Sequence, residues 1–355
     1  MNTILITGGA GFIGSRLALG IREAKPECRI VAFDNLIRRG SELNVPRLHK
    51  AGVEFVRGDV RAPDELEAIG AVDLIIECSA EPSVLAGYDE SPRYVIDTNF
   101  GGTVNCLELA RKFGAAFLFL STSRIYSMRK LNALSYAETA TRFVLDEDQS
   151  FPGASAAGVS EIFSTDGPRS FYGTSKLCSE QLIEEYADAY GLRTIVNRCG
   201  VIAGPWQMAK IDQGLVGLWV SRHFFKGELA YFGYGGEGKQ VRDILHVDDL
   251  LRLVLHQIDR FEELSGEVFS VGGGTTVNTS LQELTALCEE VTGNTIGIGS
   301  EAEDRIADVR LYITDHTHVT RRCGWKPETD LRAIVEDVAA WLACHEKSLR
   351  PILMP

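Results

Sequence analysis

The 355-residue sequence predicts an α/β protein, a doubly wound parallel sheet with a smaller α/β lobe attached. Three observations carry that expectation. From residue 1 to about 125, β-rich apolar runs alternate with helical stretches. The first run opens into a glycine loop, and a Tyr172-Gly173-Thr174-Ser175-Lys176 box lies far downstream on a predicted helix.

Taken in order, Thr3 to Thr7 is the first strand and Phe12 to Ile21 turns helical in period. Between them stands Gly8-Gly9-Ala10-Gly11-Phe12-Ile13-Gly14, at the strand-to-helix turn where such a loop can hold a dinucleotide. Gly8 permits the tight turn, Gly11 lets a pyrophosphate approach the backbone, and Gly14 lets the helix pack on the strand. Unpaired N–H groups and the helix dipole then face the phosphates. These features make the sheet Rossmann-type.

The second strand, Arg29 to Phe33, ends at Asp34, twenty positions after Gly14. A carboxylate there accepts from both ribose hydroxyls and repels a 2′-phosphate, which favours NAD over NADP. Arg38 and Arg39 follow, and would receive such a phosphate in the NADP alternative. Further strands fall near 53–57, 73–78 and 116–121. Asp59 ends the third and is placed to touch an adenine, or simply forms a turn. Ser79 and Ala80 end the fourth with side chains small enough for a cofactor to pass. Asn99 opens a long helix, as a cofactor contact or merely as its cap.

Between Ser127 and Ser170 the rhythm breaks into a polar segment too long for a plain connection, expected to border the active site. A helix from Tyr172 to about Tyr190 and a strand from Arg193 to Cys199 complete the first lobe. The expected division is 1–200, with part of 240–275 returning to it, against a substrate-binding lobe of 201–239 and 276–355. In that second lobe Trp206, Trp219, Phe224, Phe225 and Tyr231 read mostly as core.

A net charge of −13 argues against nucleic acid or an anionic membrane as partner. No apolar run approaches the roughly 20 residues of a membrane span, and Met1 leads straight into the first strand, so a soluble, cytoplasmic protein is expected. Eight cysteines without paired or zinc spacing read as buried free thiols, and the seven histidines form no metal motif.

Tyr172 and Lys176, four residues apart on a helix, share one face, so the ammonium stands near the phenol. Bringing a tyrosine from a pKa of about 10 to about 7 takes about 4 kcal/mol of preferential phenolate stabilisation. Lys176 and an oxidised nicotinamide are two positive charges able to supply it. Such a phenolate takes a proton from a sugar hydroxyl as the carbon beneath gives up hydride. In Leu120-Ser121-Thr122-Ser123-Arg124-Ile125-Tyr126, Thr122 is the hydroxyl expected to share that proton; Ser121 and Ser123 point to the other face. The alternative is that these hydroxyls only satisfy strand-end backbone.

The glycine loop, Asp34-Asn35, Asp59, Thr122, Tyr172 and Lys176 together resemble the extended short-chain dehydrogenase/reductase (NAD-dependent epimerase/dehydratase) superfamily over essentially the whole chain. Three further segments, Glu138-Thr139-Ala140-Thr141-Arg142-Phe143, Asp212-Gln213-Gly214-Leu215-Val216-Gly217 and Gly238-Lys239-Gln240-Val241-Arg242-Asp243-Ile244-Leu245-His246, are similar to the CDP-paratose 2-epimerase (CDP-tyvelose epimerase) family. The resemblance implies a cycle in which bound NAD takes hydride from C2 of a CDP-linked 3,6-dideoxyhexose and returns it to the opposite face. It implies a cofactor set of Gly8, Gly11, Phe12, Ile13, Gly14, Asp34, Asn35, Asp59, Val60, Ser79, Ala80 and Asn99, with Tyr172 and Lys176. For the substrate it implies Thr122, Arg124, Asn197, Gln207, Gln213, Arg242 and Arg310. Arg242 would pair with the diphosphate unless it forms a salt bridge with Asp243, and Asp308, Arg310 and Asp315 resemble a later strand that meets the nucleotide. A homodimer through helices beginning near Asn99 and Tyr172 is implied too.

The fourth-strand end departs from the superfamily. It reads Glu77-Cys78-Ser79-Ala80-Glu81 where a histidine-led run of small residues is usual, and Ser127 replaces a glycine. Beside Thr122 stand Ser123 and Arg124, where dehydratases place an acid and a base and decarboxylases a glutamate. A 4-epimerase shares the same trio and stays open, as does a reductase; a dinucleotide-binding sensor would need no such trio.

Overall fold

The structure, a computed structural model, describes residues 1–210 and 213–354; Ile211, Asp212 (which opens one of the segments quoted above) and Pro355 lie outside the described residues. The chain divides into two units. One comprises Met1–Ile125, Ser170–Arg198 and Leu250–Phe269; the other Tyr126–Arg169, Cys199–Asp249 and the chain from Ser270 onward.

The central sheet has seven strands: Thr3–Thr7 (β1), Arg29–Asp34 (β2), Glu54–Arg57 (β3), Leu74–Glu77 (β4), Ala116–Thr122 (β5), Thr194–Cys199 (β6) and Glu267–Val271 (β7). Their spatial order is β7-β6-β5-β4-β1-β2-β3. Pairing from β3 through β5 is parallel, with Thr7 level with Phe33 on one side and Glu77 on the other, and Glu77 level with Phe119. The order therefore reverses between β1 and β4, the position where doubly wound sheets leave a crevice beyond their strand ends. Every residue of β4 and β5 is buried, as continuous apolar runs in a sheet covered on both faces must be.

Three helices matter most for the first unit: Phe12–Ala24 (α1), Gly102–Phe113 (α2) and Phe171–Tyr190 (α3). Cys106, Leu107 and Ala110 of α2 and Ile183 of α3 share one buried cluster with Leu5, Ile75, Phe117 and Phe119. The alternate strand residues Ile4, Ile6, Ile30 and Ile76 are equally buried on the opposite face. Gly20 of α1 meets Leu251 so closely that an added Cβ would lie 2.2 Å from its Cδ2.

In the second unit Val241–His246 is the middle strand of a small sheet, paired with Val201–Ala203, Asn278–Ser280 and Leu311–Tyr312. Helices Leu215–Phe225, Leu281–Thr292 and Leu331–Cys344 pack against one another. The polar segment after Ser127 belongs here, which corrects the expected boundary of 1–200. It forms a short helix, Met128–Asn132, and two hairpins, and ties its backbone to Lys239 and Ile313. Residues 250–269 lie in the first unit. Of the eight free cysteines, Cys344 is exposed and Cys78 and Cys178 are half-buried, a correction to uniform burial. Among the described residues, no helix is long and apolar enough to cross a membrane, and no group of three or more His, Cys, Asp or Glu could hold a metal ion.

Candidate active site

The glycine loop lies at the reversal point. Gly8 has φ +62°, and a Cβ there would lie 2.9 Å from the Cys78 carbonyl; a Cβ on Gly14 would lie 2.2 Å from the Gly8 oxygen. A side chain at either position would displace backbone, so the loop is an atom-tight cradle. Helix α1 starts at Phe12 with no side-chain cap at Gly11 and no acidic residue in its first turn, which leaves its first N–H groups for an anion. Phe12 and Ile13 are partly exposed there. Asn44 Nδ2 supports the loop from outside, donating to Ala10 O at 2.9 Å, a contact that sequence reading missed.

At the end of β2, Asp34 accepts from Ala10 N at 3.1 Å and Leu36 N at 2.7 Å. Burial nonetheless pushes its carboxyl up from the usual range, with the Asp59 charge acting in the same sense. Leu36 adopts φ +59°, a strained conformation that keeps the turn tight around Asp34. Asn35 donates to Asp59 Oδ2 at 3.0 Å, and Arg61 forks onto Asp59, holding that carboxyl well below its usual range. The expected ribose and adenine residues thus form one linked rim. Val60 is anchored to α2 through Asn105, whose Nδ2 donates to its carbonyl at 2.8 Å.

Across the reversal point, Ser79 Oγ donates to Thr7 Oγ1 at 3.0 Å, which joins the ends of β1 and β4, and Ala80 beside it is partly exposed. Asn99 does not open or cap its helix. It sits within a π-turn, Ile96–Gly101, in a helical run that begins at Arg93, and its amide accepts from Glu81 N at 2.8 Å and donates to Glu81 O and Ser175 Oγ at 3.1 Å each. Its role is to fasten the loop after β4 to α3, where such turns often accompany function. The Glu81 carboxylate accepts from Ser83 N at 3.0 Å.

Ser170 caps α3, its Oγ accepting from Gly173 N at 3.1 Å, so Tyr172 enters in the first turn and Lys176 follows one turn later. Tyr172 is partly exposed, while Lys176 is buried with its ammonium 4.2 Å from the centroid of the Phe119 ring. Phe119 and Ser121 of β5 face α3, and Ser121 donates to Glu180, which is paired with Arg198 at 2.7 Å. Thr122 ends β5, its Oγ1 accepting from Arg124 N at 3.2 Å at the head of the turn Ser123–Ile125. Arg124 itself is half-buried.

Two buried groups in the first unit were not assigned roles from sequence. The Glu180–Arg198 pair is one. Glu77 is the other: entirely buried, its Oε1 accepts from Thr103 Oγ1 at 2.9 Å and its Oε2 has no partner among the described residues. Burial pushes its carboxyl up to about 7, against the opposing pull of Lys176 and Thr103. The available signal was an acid ending the apolar run Leu74-Ile75-Ile76.

Several substrate candidates are engaged elsewhere. Asn197 is fully buried, and its amide exchanges two 2.8 Å hydrogen bonds with Gln257, so it belongs to the core. In the second unit Arg242 pairs with Asp308 at 2.7 Å and donates to the Val241 and Val309 carbonyls; Asp243 is not its partner, but takes N–H bonds from Gly274 and Thr314. Asp308 and Arg310 precede the strand Leu311–Tyr312 and Asp315 follows it. The Arg310 guanidinium lies 4.4 Å from the Tyr136 ring centroid, 5.0 Å from that of Tyr234 and 5.6 Å from that of Phe143. That packing makes it an anchor for the hairpin Tyr136–Glu138/Phe143–Leu145. Gln207 Nε2 donates to Ile202 O, while its buried Oε1 has no partner among the described residues. Gln213 exchanges backbone hydrogen bonds with Lys210, at 2.9 and 3.0 Å.

A nucleotide cradle beside a tyrosine–lysine pair on one helix defines a dinucleotide-dependent enzyme. The chain belongs to the NAD dependent epimerase/dehydratase family, whose model matches residues 4–272. It is 30% identical over 346 residues to CDP-paratose 2-epimerase of Salmonella typhi, covering 95% of this chain and 98% of that one. It is 27% identical to a dTDP-glucose 4,6-dehydratase of Streptomyces griseus, over 99% of this chain and 97% of the relative. Among solved structures, UDP-glucose 4-epimerase of Thermotoga maritima with UDP-glucose superposes with TM-score 0.75 and 25% identity, covering 97% of this chain and 99% of that one. NAD is accordingly the cofactor, and the cradle, the Asp34 rim and the uncapped start of α1 fit it. When bound, NAD accepts and returns a hydride.

Proposed function

We propose that this enzyme is a nucleotide-sugar epimerase that inverts C2 of a CDP-linked 3,6-dideoxyhexose, of the CDP-paratose to CDP-tyvelose type. The observation that carries the reading is the Tyr172–Lys176 pair in the first turns of α3, with Ser123 and Arg124 following Thr122 where a dehydratase would place its acid and base. The similarity to the Salmonella typhi 2-epimerase supports the choice of sugar.

In this reading Tyr172, as phenolate, takes the proton of the reacting hydroxyl and later gives it back, so one group serves both directions. Lys176 supplies the positive field that makes the phenolate accessible near neutral pH. Thr122 donates to the oxygen as it changes from hydroxyl to carbonyl. Of the second unit's candidates, Gln207 supports contact best, because its buried Oε1 needs a donor. Arg242 would have to exchange the Asp308 carboxylate for a diphosphate.

A 4-epimerase is the second reading, supported by the structural similarity to the Thermotoga maritima enzyme. NMR of the purified protein in deuterated water with CDP-paratose, CDP-tyvelose and UDP- and GDP-hexoses separates the two. Inversion at C2 of the CDP-sugar without deuterium uptake is expected. Inversion at C4 of another sugar, deuterium in the ring or methyl group, or no reaction at all would overturn the C2 assignment.

A further inference from the structure

Glu77 has no place in the chemistry just described, yet it is built into the same machinery. It ends β4, and the sheet register sets it level with Thr7 of β1 and with Phe119 of β5, the ring that carries the Lys176 ammonium. From α2, the Thr103 hydroxyl lies 2.9 Å from its Oε1 and 2.7 Å from Asn99 O and shares its one proton between them, while Ser179 of α3 donates to Thr103 Oγ1 at 3.1 Å. Asn99 in turn bonds Ser175, whose hydroxyl donates to Tyr172 O at 2.8 Å. A hydrogen-bonded chain thus runs from Glu77 through α2 to the turn that holds Tyr172.

The titratable groups facing Glu77 are few. Lys176 comes from α3 and Cys106 from α2; the thiol is buried and held neutral by burial and by the Glu77 charge itself. The neighbouring strands present Thr7 and Phe119, which carry no charge. A carboxylate here therefore acts chiefly on Lys176.

We propose that Glu77 is a positioning residue for the Tyr172–Lys176 pair, fixed by Thr103 so that its charge determines how much of the Lys176 field reaches the Tyr172 phenol. Ionised, Glu77 offsets part of that field and Tyr172 holds its proton more tightly. Neutral, it leaves the field whole and the phenolate is favoured. This inference rests on Tyr172 as the proton carrier, but not on the identity of the sugar.

The test is a pH titration of tyrosinate absorbance in NAD-loaded, full-length protein, with the Tyr172→Phe spectrum subtracted in each background to isolate Tyr172. In Glu77→Gln the Tyr172 midpoint is expected to fall by about one pH unit, the scale of a nearby unit charge at an effective dielectric of about 20. Thr103→Val removes the donor that favours the ionised acid, so Glu77 stays protonated to higher pH and the midpoint falls without any charge being deleted. It also decides the matter alone if Glu77→Gln does not fold. An unchanged or raised midpoint in folded variants overturns the proposal. No sugar is needed, so a protein that inverts none of the sugars above yet shows the shift loses the epimerase reading and keeps this one; an active epimerase with an unmoved midpoint does the reverse.

Discussion

Replacing Glu77 with glutamine should make the protein more stable, and more so at high pH. In the unfolded chain this carboxyl titrates at about 4.5, in the fold at about 7. Between those values the folded state binds more protons than the unfolded one, so the Glu77 contribution to stability falls as pH rises and is fully lost above about 7. Glutamine mimics the protonated acid: its carbonyl still accepts from Thr103, and it never ionises. Integrating the single-site linkage gives a variant-minus-parent gap of about 1 kcal/mol at pH 5 and about 3 kcal/mol at pH 8. Other groups with raised values, Asp243 at about 6 among them, titrate in both proteins and cancel in the gap. Urea midpoints of parent and variant at the two pH values, with matched NAD, measure it. A gap equal at pH 5 and pH 8 would refute the reasoning, since it would mean that Glu77 titrates alike in folded and unfolded chains.

Gly14→Ala should lose bound NAD and about 1–3 kcal/mol of stability, because the new methyl would sit 2.2 Å from the Gly8 oxygen and force the cradle open. Purified Gly14→Ala retaining a full complement of NAD would contradict the cradle. Asn197→Ala should cost about 1–3 kcal/mol through the stranded Gln257 amide while leaving the KM for the sugar unchanged. A raised KM with an unaltered urea midpoint would return Asn197 to the substrate site.

The features legible in the sequence were those that short-range chemistry determines. The strands of the first unit announce themselves as apolar runs, and Gly8 to Gly14 as a turn in which a side chain at position 8 or 14 would displace backbone. Tyr172 and Lys176 share a face simply because a helix repeats every 3.6 residues. What escaped was set by partners distant in the chain. Asn197 looks like a polar strand residue free for a ligand until Gln257, sixty positions later, closes on it. Arg310 becomes a packing anchor only once rings from positions 136, 143 and 234 gather around it. The segment after Ser127 joins the second unit because its backbone partners, Lys239 and Ile313, lie there.

Glu77 is the instructive case, because its identity was visible as a departure and its meaning was not. An acid closing an apolar strand is visible in the sequence, but only the register with Phe119 and the arrival of Lys176 from α3 make it a buried countercharge. A carboxyl so placed is a burden to the fold above neutral pH, and a sheet end offers cheaper residues for packing alone. On the proposal above, its presence beside Lys176 follows from the chemistry of the Tyr172–Lys176 pair and not from stability. The two titrations separate these accounts: a stabilised Glu77→Gln protein with an unmoved Tyr172 midpoint would leave Glu77 a defect of the core, whereas a stabilised protein whose midpoint falls would show stability given up to tune the phenol.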